Sequence, residues 1–129
     1  MITRFIDRSN RKLPLVVYGD GGQSRDFVNV HDVVEAIVRS IISRNAEGEV
    51  FNVGYGEPTS INELANVVLE ATKSGLEVTY ESAREGDIKN SYANISKASR
   101  LLGYKPEVDL GDGLRKLLVG EALYSNETL

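Results

Sequence analysis

The chain contains no cysteine and no tryptophan, and only one histidine among its 129 residues. Without cysteine there are no disulfides, thiol nucleophiles, Cys-ligated zinc sites or iron–sulfur clusters. A single histidine excludes any multi-histidine metal site. Positive charge is also short. With 15 Lys+Arg against 19 Asp+Glu the formal net charge is -4, whereas a general nucleic-acid binder usually carries a basic stripe. Long apolar runs are missing, so no membrane span is expected. Met1-Ile2-Thr3-Arg4-Phe5 places a charge too early for a secretory leader. Together these features predict a cytoplasmic protein, in which Asn94-Ile95-Ser96 and Asn126-Glu127-Thr128 are chance matches to the glycosylation triplet. What is present, 41% hydrophobic and 26% charged residues, is an ordinary globular composition. The length suits one domain able to bury roughly two-thirds of its unfolded surface. That domain is expected over residues 1–124, with a frayed tail at 125–129.

Glycine and proline divide the chain into short apolar runs alternating with helical patterns. Leu15-Val16-Val17-Tyr18 reads as a strand that stops at Gly19-Asp20-Gly21-Gly22, a turn requiring positive φ. Residues 25–30 resume in extended form, and Asp32 with Glu35 reads as a capping box. Val34, Ile37, Val38 and Ile41 follow at helical spacing, which predicts one buried stripe. Glu49-Val50-Phe51-Asn52-Val53 is the next strand candidate. Ser60 and Glu63 form a second capping box, ahead of Ile61, Leu64, Ala65, Val68 and Leu69 on one helical face. Leu76 to Tyr80 is rich in strand-favouring residues, and Ser82 to Ser91 is a polar loop. Ser96 is placed to cap a helix that ends at Gly103, and Leu110, Leu114, Leu117 and Leu118 mark a last one. The pattern predicts a mixed α/β fold with a few strands and four helices.

Two glycine-rich loops invite a cofactor reading. Gly54-Tyr55-Gly56-Glu57-Pro58-Thr59 lies between a strand and a helix, where a dinucleotide fingerprint belongs, with Glu81 downstream for a ribose hydroxyl. Its third glycine is Thr59, however, and Pro58 removes a backbone N–H from the cradle. The expected reading is a plain strand-to-helix turn. The Gly19–Gly22 turn lacks the Gly-Lys-Ser/Thr of a P-loop and is followed by extended chain.

The run from Leu15 to Val34, LVVYGDGGQSRDFVNVHDVV, closely resembles the C-terminal part of NAD-dependent nucleotide-sugar epimerases and dehydratases. These form the extended short-chain dehydrogenase/reductase family, and the UDP-glucose 4-epimerases are nearest in general look. Further blocks agree in order: Val50–Gly54, Ser60–Leu64, Arg84-Glu85-Gly86-Asp87, Ser96-Lys97-Ala98 and Leu102–Pro106, with Ile2–Ile6 as a lead-in. The resemblance implies that Arg25 and Arg84 hold the diphosphate of a nucleotide sugar, a task suited to a planar, permanently charged fork. It implies that Asp87 accepts from the ribose hydroxyls, that Tyr18 packs the base and that Asn52 lines the pocket. Read from the residues alone, Arg25 with Asp26 and Arg84 with Asp87 are equally surface ion pairs, Tyr18 a strand-end core residue, and Asn52 a backbone partner. Asp26 reads as a structural acceptor and His31 as a surface residue without a catalytic partner. The family usually has Asp before its Ser-Lys-Ala block, where this chain has Asn94, a difference confined to a helix-entry contact.

Family catalysis also needs a glycine-rich NAD fingerprint and a Tyr-x-x-x-Lys pair, in which lysine lowers the tyrosine pKa. Four residues after tyrosines 18, 55, 80, 92, 104 and 124 stand Gly22, Thr59, Arg84, Ser96, Val108 and Thr128, none of them lysine. The expectation is therefore the substrate-binding portion of such an enzyme without its N-terminal Rossmann cofactor domain. NAD belongs to the full-length relative, where the resemblance implies transient oxidation and re-reduction at the sugar C4. No NAD site is expected in this chain, and its isolated form is expected to be inactive. The expected partner is a UDP-sugar or related nucleotide sugar, and neither nucleic acid nor membrane. Three further readings stay open: a nucleotide-sugar binding module without catalysis, a portion of a dTDP-glucose 4,6-dehydratase-like enzyme, and a homo-oligomer associating through surfaces the absent domain would cover.

Overall fold

The computed structural model describes residues 1–125, with side chains as far as residue 120. The fold is mixed α/β. Its elements are α1 (Ile2–Asn10), β1 (Leu15–Tyr18), β2 (Ser24–Arg25), α2 (Val30–Ile42), a 3₁₀ turn (Arg44–Ala46), β3 (Thr59–Ser60), α3 (Ile61–Ala71), β4 (Val78–Glu81), β5 (Asn90–Ser91), α4 (Ser96–Leu102) and α5 (Leu110–Ser125). Five α-helices among the described residues replace the four expected, because α1 was read only as a lead-in. Its mixed polar sequence hides a short face of Phe5, Ile6 and Ser9 that the fold buries. The tail expected after Ser125, with the triplet Asn126-Glu127-Thr128, lies outside the described residues. Among those residues no helix is long and apolar enough to cross a membrane.

The chain divides into two compact units. Unit 1 takes residues 1–23, 60–89 and Gly111 onward, and unit 2 takes 24–59 and 90–110. In unit 1, β1 and β4 pair in parallel, with Tyr18 opposite Glu81. Phe5, Ile6, Leu15, Val17, Ile61, Leu64, Ala65, Val68 and Leu114 are its buried apolar side chains, with Ser9 the buried hydroxyl beside them. Helix α3 begins as its sequence predicts. Ser60 Oγ accepts from the Glu63 N–H at 3.1 Å, and Glu63 Oε2 accepts from the Ser60 N–H at 2.7 Å. That N–H holds the Glu63 carboxyl below its ordinary range. The turn after β1 adopts the left-handed backbone at Gly19 and Gly21.

Unit 2 departs further from expectation. Helix α2 is capped by Asn29, whose side chain accepts from the His31 N–H at 2.9 Å. Asp32 is therefore not the cap. It sits one turn inside, 5% exposed, and its carboxylate accepts from the N–H groups of Glu107 at 2.9 Å and Val108 at 3.2 Å. Glu35 pairs with Arg39 instead. The apolar stripe of α2 is exposed rather than buried: Val34, Ile37, Val38 and Ile41 are 50%, 53%, 45% and 76% accessible. What α2 buries is Ala36, in a cluster with Ala98, Leu102 and Tyr104. Periodicity identifies an apolar face but not what covers it. Residues 49–53 likewise pair with no strand among the described residues, although Phe51 and Val53 pack against that cluster. Beyond Arg25 the extended ladder does not continue. At α4 the N-cap is Ile95, which has no side-chain cap. Ser96 is the first helical residue, its N–H taken by Asn94 Oδ1 at 3.0 Å, so Ser96 is not the cap. Gly103 ends the helix in the left-handed conformation.

Tyr104 is almost fully buried, and its hydroxyl donates to the Gly54 carbonyl at 2.8 Å. Burial, and then the charges of Asp32 and Asp26, push its phenol above the ordinary 10.0. The folded state therefore holds the proton more tightly than the unfolded one. This stability is fully present below pH 10.0 and is lost as pH rises through the higher folded value. Tyr104→Phe should lose about 1 kcal/mol at neutral pH with its hydrogen bond. It should also show a shallower decline above pH 10.0 than the wild type, read from urea midpoints across that range.

Candidate functional site

Unit 1 contains a cavity of about 340 Å³ at the end of β1, lined by Tyr18, Gln23, Arg4 and the stretch Arg84–Asp87. Parallel pairing explains the gathering. Tyr18 ends β1 opposite Glu81, the end of β4, so the loop leaving β4 emerges beside the tyrosine. That loop closes a turn in which the Asp87 N–H meets the Arg84 carbonyl at 3.3 Å, with Gly86 at φ +79. Positive φ at the third position is the signature of a type II turn and favours glycine. Arg84 and Asp87 therefore stand at the two ends of one turn.

The Arg84 guanidinium carbon lies 4.0 Å from the centroid of the Tyr18 ring, and that of Arg4 lies 5.9 Å away. Hydrogen bonding from Arg84 first and Arg4 second holds the Tyr18 phenol below its ordinary 10.0. Gln23 Nε2 donates to the Tyr18 carbonyl at 2.8 Å, which fixes the strand end. The cavity thus combines an aromatic face, three guanidinium groups (Arg4, Arg8 and Arg84) and the carboxylates of Glu85 and Asp87, a set suited to an anionic ligand carrying a flat ring and hydroxyl groups. Arg4 and Arg8, one turn apart on α1, line the same cavity and were not anticipated. Recognising residues 2–10 as a helix would have put both on one face.

Unit 2 holds a second cavity, of about 520 Å³, lined by Arg25, Asp26, Phe51, Asn52, Gly54 and Tyr92 among others. Arg25 Nη1 donates to the Ser24 carbonyl at 2.7 Å. The five residues singled out from the sequence thus fall into two groups. Tyr18, Arg84 and Asp87 share one cavity, and Arg25 and Asn52 share the other.

Asp26 organises the second cavity. Its carboxylate accepts from the N–H groups of Tyr55 at 2.7 Å, Gly56 at 3.0 Å and Ala93 at 3.1 Å. A Cβ on Gly54 would lie 2.4 Å from Asp26 Oδ2, so close approach rather than phosphate binding accounts for that glycine. In the loop expected to be a plain turn, the Tyr55 and Gly56 N–H groups are taken by Asp26. Among the described residues no group of three or more His, Cys, Asp or Glu could hold a metal ion. His31 is exposed.

Residues 1–117 match the family described as GDP-mannose 4,6 dehydratase. The chain is 31% identical over 116 residues to the UDP-glucuronate 4-epimerase of Thermodesulfobacterium geofontis, covering 89% of this chain and 35% of that protein. Its fold superposes on the UDP-glucose 4-epimerase of Thermotoga maritima, solved with UDP-glucose, with a TM-score of 0.83 and 34% identity. The match covers 98% of this chain and 40% of that one. The UDP-glucuronic acid 4-epimerase of Bacillus cereus, solved with UDP-glucuronic acid and NAD, gives a TM-score of 0.78 and 33% identity over 88% of this chain and 36% of that one. The chain thus spans about two-fifths or less of the length of these relatives.

Proposed function

We propose, since the chain belongs to the GDP-mannose 4,6-dehydratase family of extended short-chain dehydrogenases/reductases, that it forms the nucleotide-sugar-binding portion of a UDP-glucose 4-epimerase-like enzyme. The observation that carries this reading is Arg84 lying over Tyr18 at a cavity whose turn also presents Asp87. In it, Tyr18 packs the base, Asp87 accepts from the ribose hydroxyls, and Arg84 holds the diphosphate through charge-assisted hydrogen bonds. Binding energy from the nucleotide orients the sugar for inversion at C4, and these residues move neither proton nor hydride. In the Gly54–Thr59 loop the Tyr55 and Gly56 N–H groups bond Asp26, so that loop presents neither of them to a dinucleotide.

Calorimetric titration with UDP, UDP-glucose and NAD tests the proposal. The two UDP ligands should bind and NAD should not. Arg84→Ala should weaken UDP at least tenfold, about 1.4 kcal/mol or more. Equal affinity in that variant, or binding of NAD, would sink the proposal. A second reading, a binding module without chemistry, is favoured by the absence of lysine four residues after any tyrosine. A turnover assay in which the isolated chain epimerised UDP-glucose would eliminate it.

A further inference from the structure

Helices α1 and α3 end in the same way. In α1 the Leu13 N–H bonds the Arg8 carbonyl at 2.9 Å and the Lys12 N–H bonds the Ser9 carbonyl at 3.0 Å. In α3 the Ser74 N–H bonds the Leu69 carbonyl and the Lys73 N–H the Glu70 carbonyl, both at 3.0 Å. These are paired Schellman motifs, which require a left-handed residue just past the helix and favour glycine there. Helix α4 follows that preference with Gly103 at φ +64. The other two place lysine at the strained position, Lys12 at φ +55 and Lys73 at φ +50. They are the only non-glycine residues with positive φ among the described residues.

Both lysines line one cavity of about 340 Å³ in unit 1, apart from the Tyr18–Arg84 site. Its lining carries two ammonium groups and no carboxylate, in a chain of net charge -4. Three hydroxyls meet at the cavity. Ser9 Oγ donates to Thr72 Oγ1 at 2.8 Å and to Ser74 Oγ at 3.1 Å, and Thr72 Oγ1 donates to the Val68 carbonyl at 2.8 Å. Ser9 and Thr72 have thus committed their protons, so in the 3.0 Å contact between Thr72 Oγ1 and Ser74 Oγ the Ser74 hydroxyl is the donor. The two ammonium groups are the lining's charged donors. The motif's own bonds occupy the last carbonyls of both helices, which blunts the negative ends of the helix dipoles there. Strained residues held at the rim of a cavity are where backbone cost is exchanged for function.

We infer that Lys12 and Lys73 form a binding site for a phosphate dianion. The test measures the thermal midpoint in inorganic phosphate against chloride of matched ionic strength. It is repeated in Arg84→Ala, so that occupation of the proposed diphosphate site is separated. At tenfold excess over Kd, phosphate should raise the midpoint by about 5 °C in the wild type and by at least most of that in Arg84→Ala. The double variant Lys12→Gly/Lys73→Gly, which restores the usual residue at both helix ends, should fold and lose that increment. Lys12→Asn/Lys73→Asn should do the same, since asparagine tolerates the left-handed backbone. No increment in the wild type, an increment retained in either double variant, or one abolished by Arg84→Ala would overturn the inference.

Discussion

Asp26→Ala should lower the unfolding free energy by about 3 kcal/mol, measured by urea denaturation at neutral pH. Its carboxylate gathers three backbone N–H groups, from Tyr55, Gly56 and Ala93, within 3.1 Å. A hydrogen bond to a charged acceptor contributes about 1.5–3 kcal/mol, and each donor left behind carries a desolvation penalty. The three do not add, because Asp26 is only half-buried and water can reach part of the vacated space. Asp26→Asn should cost less, since one oxygen remains, yet its amide would turn a donor toward N–H groups. The same change loosens the walls of the cavity that holds Arg25 and Asn52. A loss below about 1 kcal/mol would show that the residue is not the organising acceptor.

Asp32→Ala should cost about 2–3 kcal/mol, more than an ordinary helix-cap deletion. Its two acceptor bonds, to the N–H groups of Glu107 and Val108, tie the start of α2 to the segment after Tyr104, and it is 5% exposed. Asn29 provides the comparison inside the same helix. As the cap it should cost about 1 kcal/mol when changed to alanine. If the two variants proved equal, Asp32 would be acting locally and the tie to residues 107 and 108 would count for little.

The features legible in the sequence are those decided by a few neighbouring residues. The Ser60–Glu63 box fixes the start of α3, Gly19 and Gly21 fix the turn after β1, and Gly103 fixes the end of α4. Features decided at long range were not legible. Asp32 followed by Glu35 carries the pattern of a cap, and only the approach of residues 107 and 108 makes it a remote tie. The stripe Val34–Ile41 has helical spacing whether or not anything covers it, and residues 49–53 have the composition of a strand but pair with none among the described residues. At the candidate site, resemblance singled out Tyr18, Arg84 and Asp87, and the β1–β4 register is what brings them to one cavity. The same reasoning grouped Arg25 and Asn52 with them, although a different cavity holds both. Arg4 went unnoticed because a charged residue in a short helix gives no signal until the strand beneath it is known.

Neither unit is a continuous stretch of chain, and each is interrupted by the other in sequence. The Thr79 hydroxyl reaches the Leu15 carbonyl across 64 residues, and Ser24 meets Asn90 across 66. Loop closure on that scale precedes any reward from contact, so this chain should fold slowly for its size and late during synthesis. Helix α3, with its own cap, can form locally, but β1 must wait until β4 has left the ribosome. A cut anywhere between Arg25 and Val78 would separate β1 from β4 and β2 from β5, which also pair in parallel. Folding would then become an encounter between two molecules, with a rate that rises with concentration.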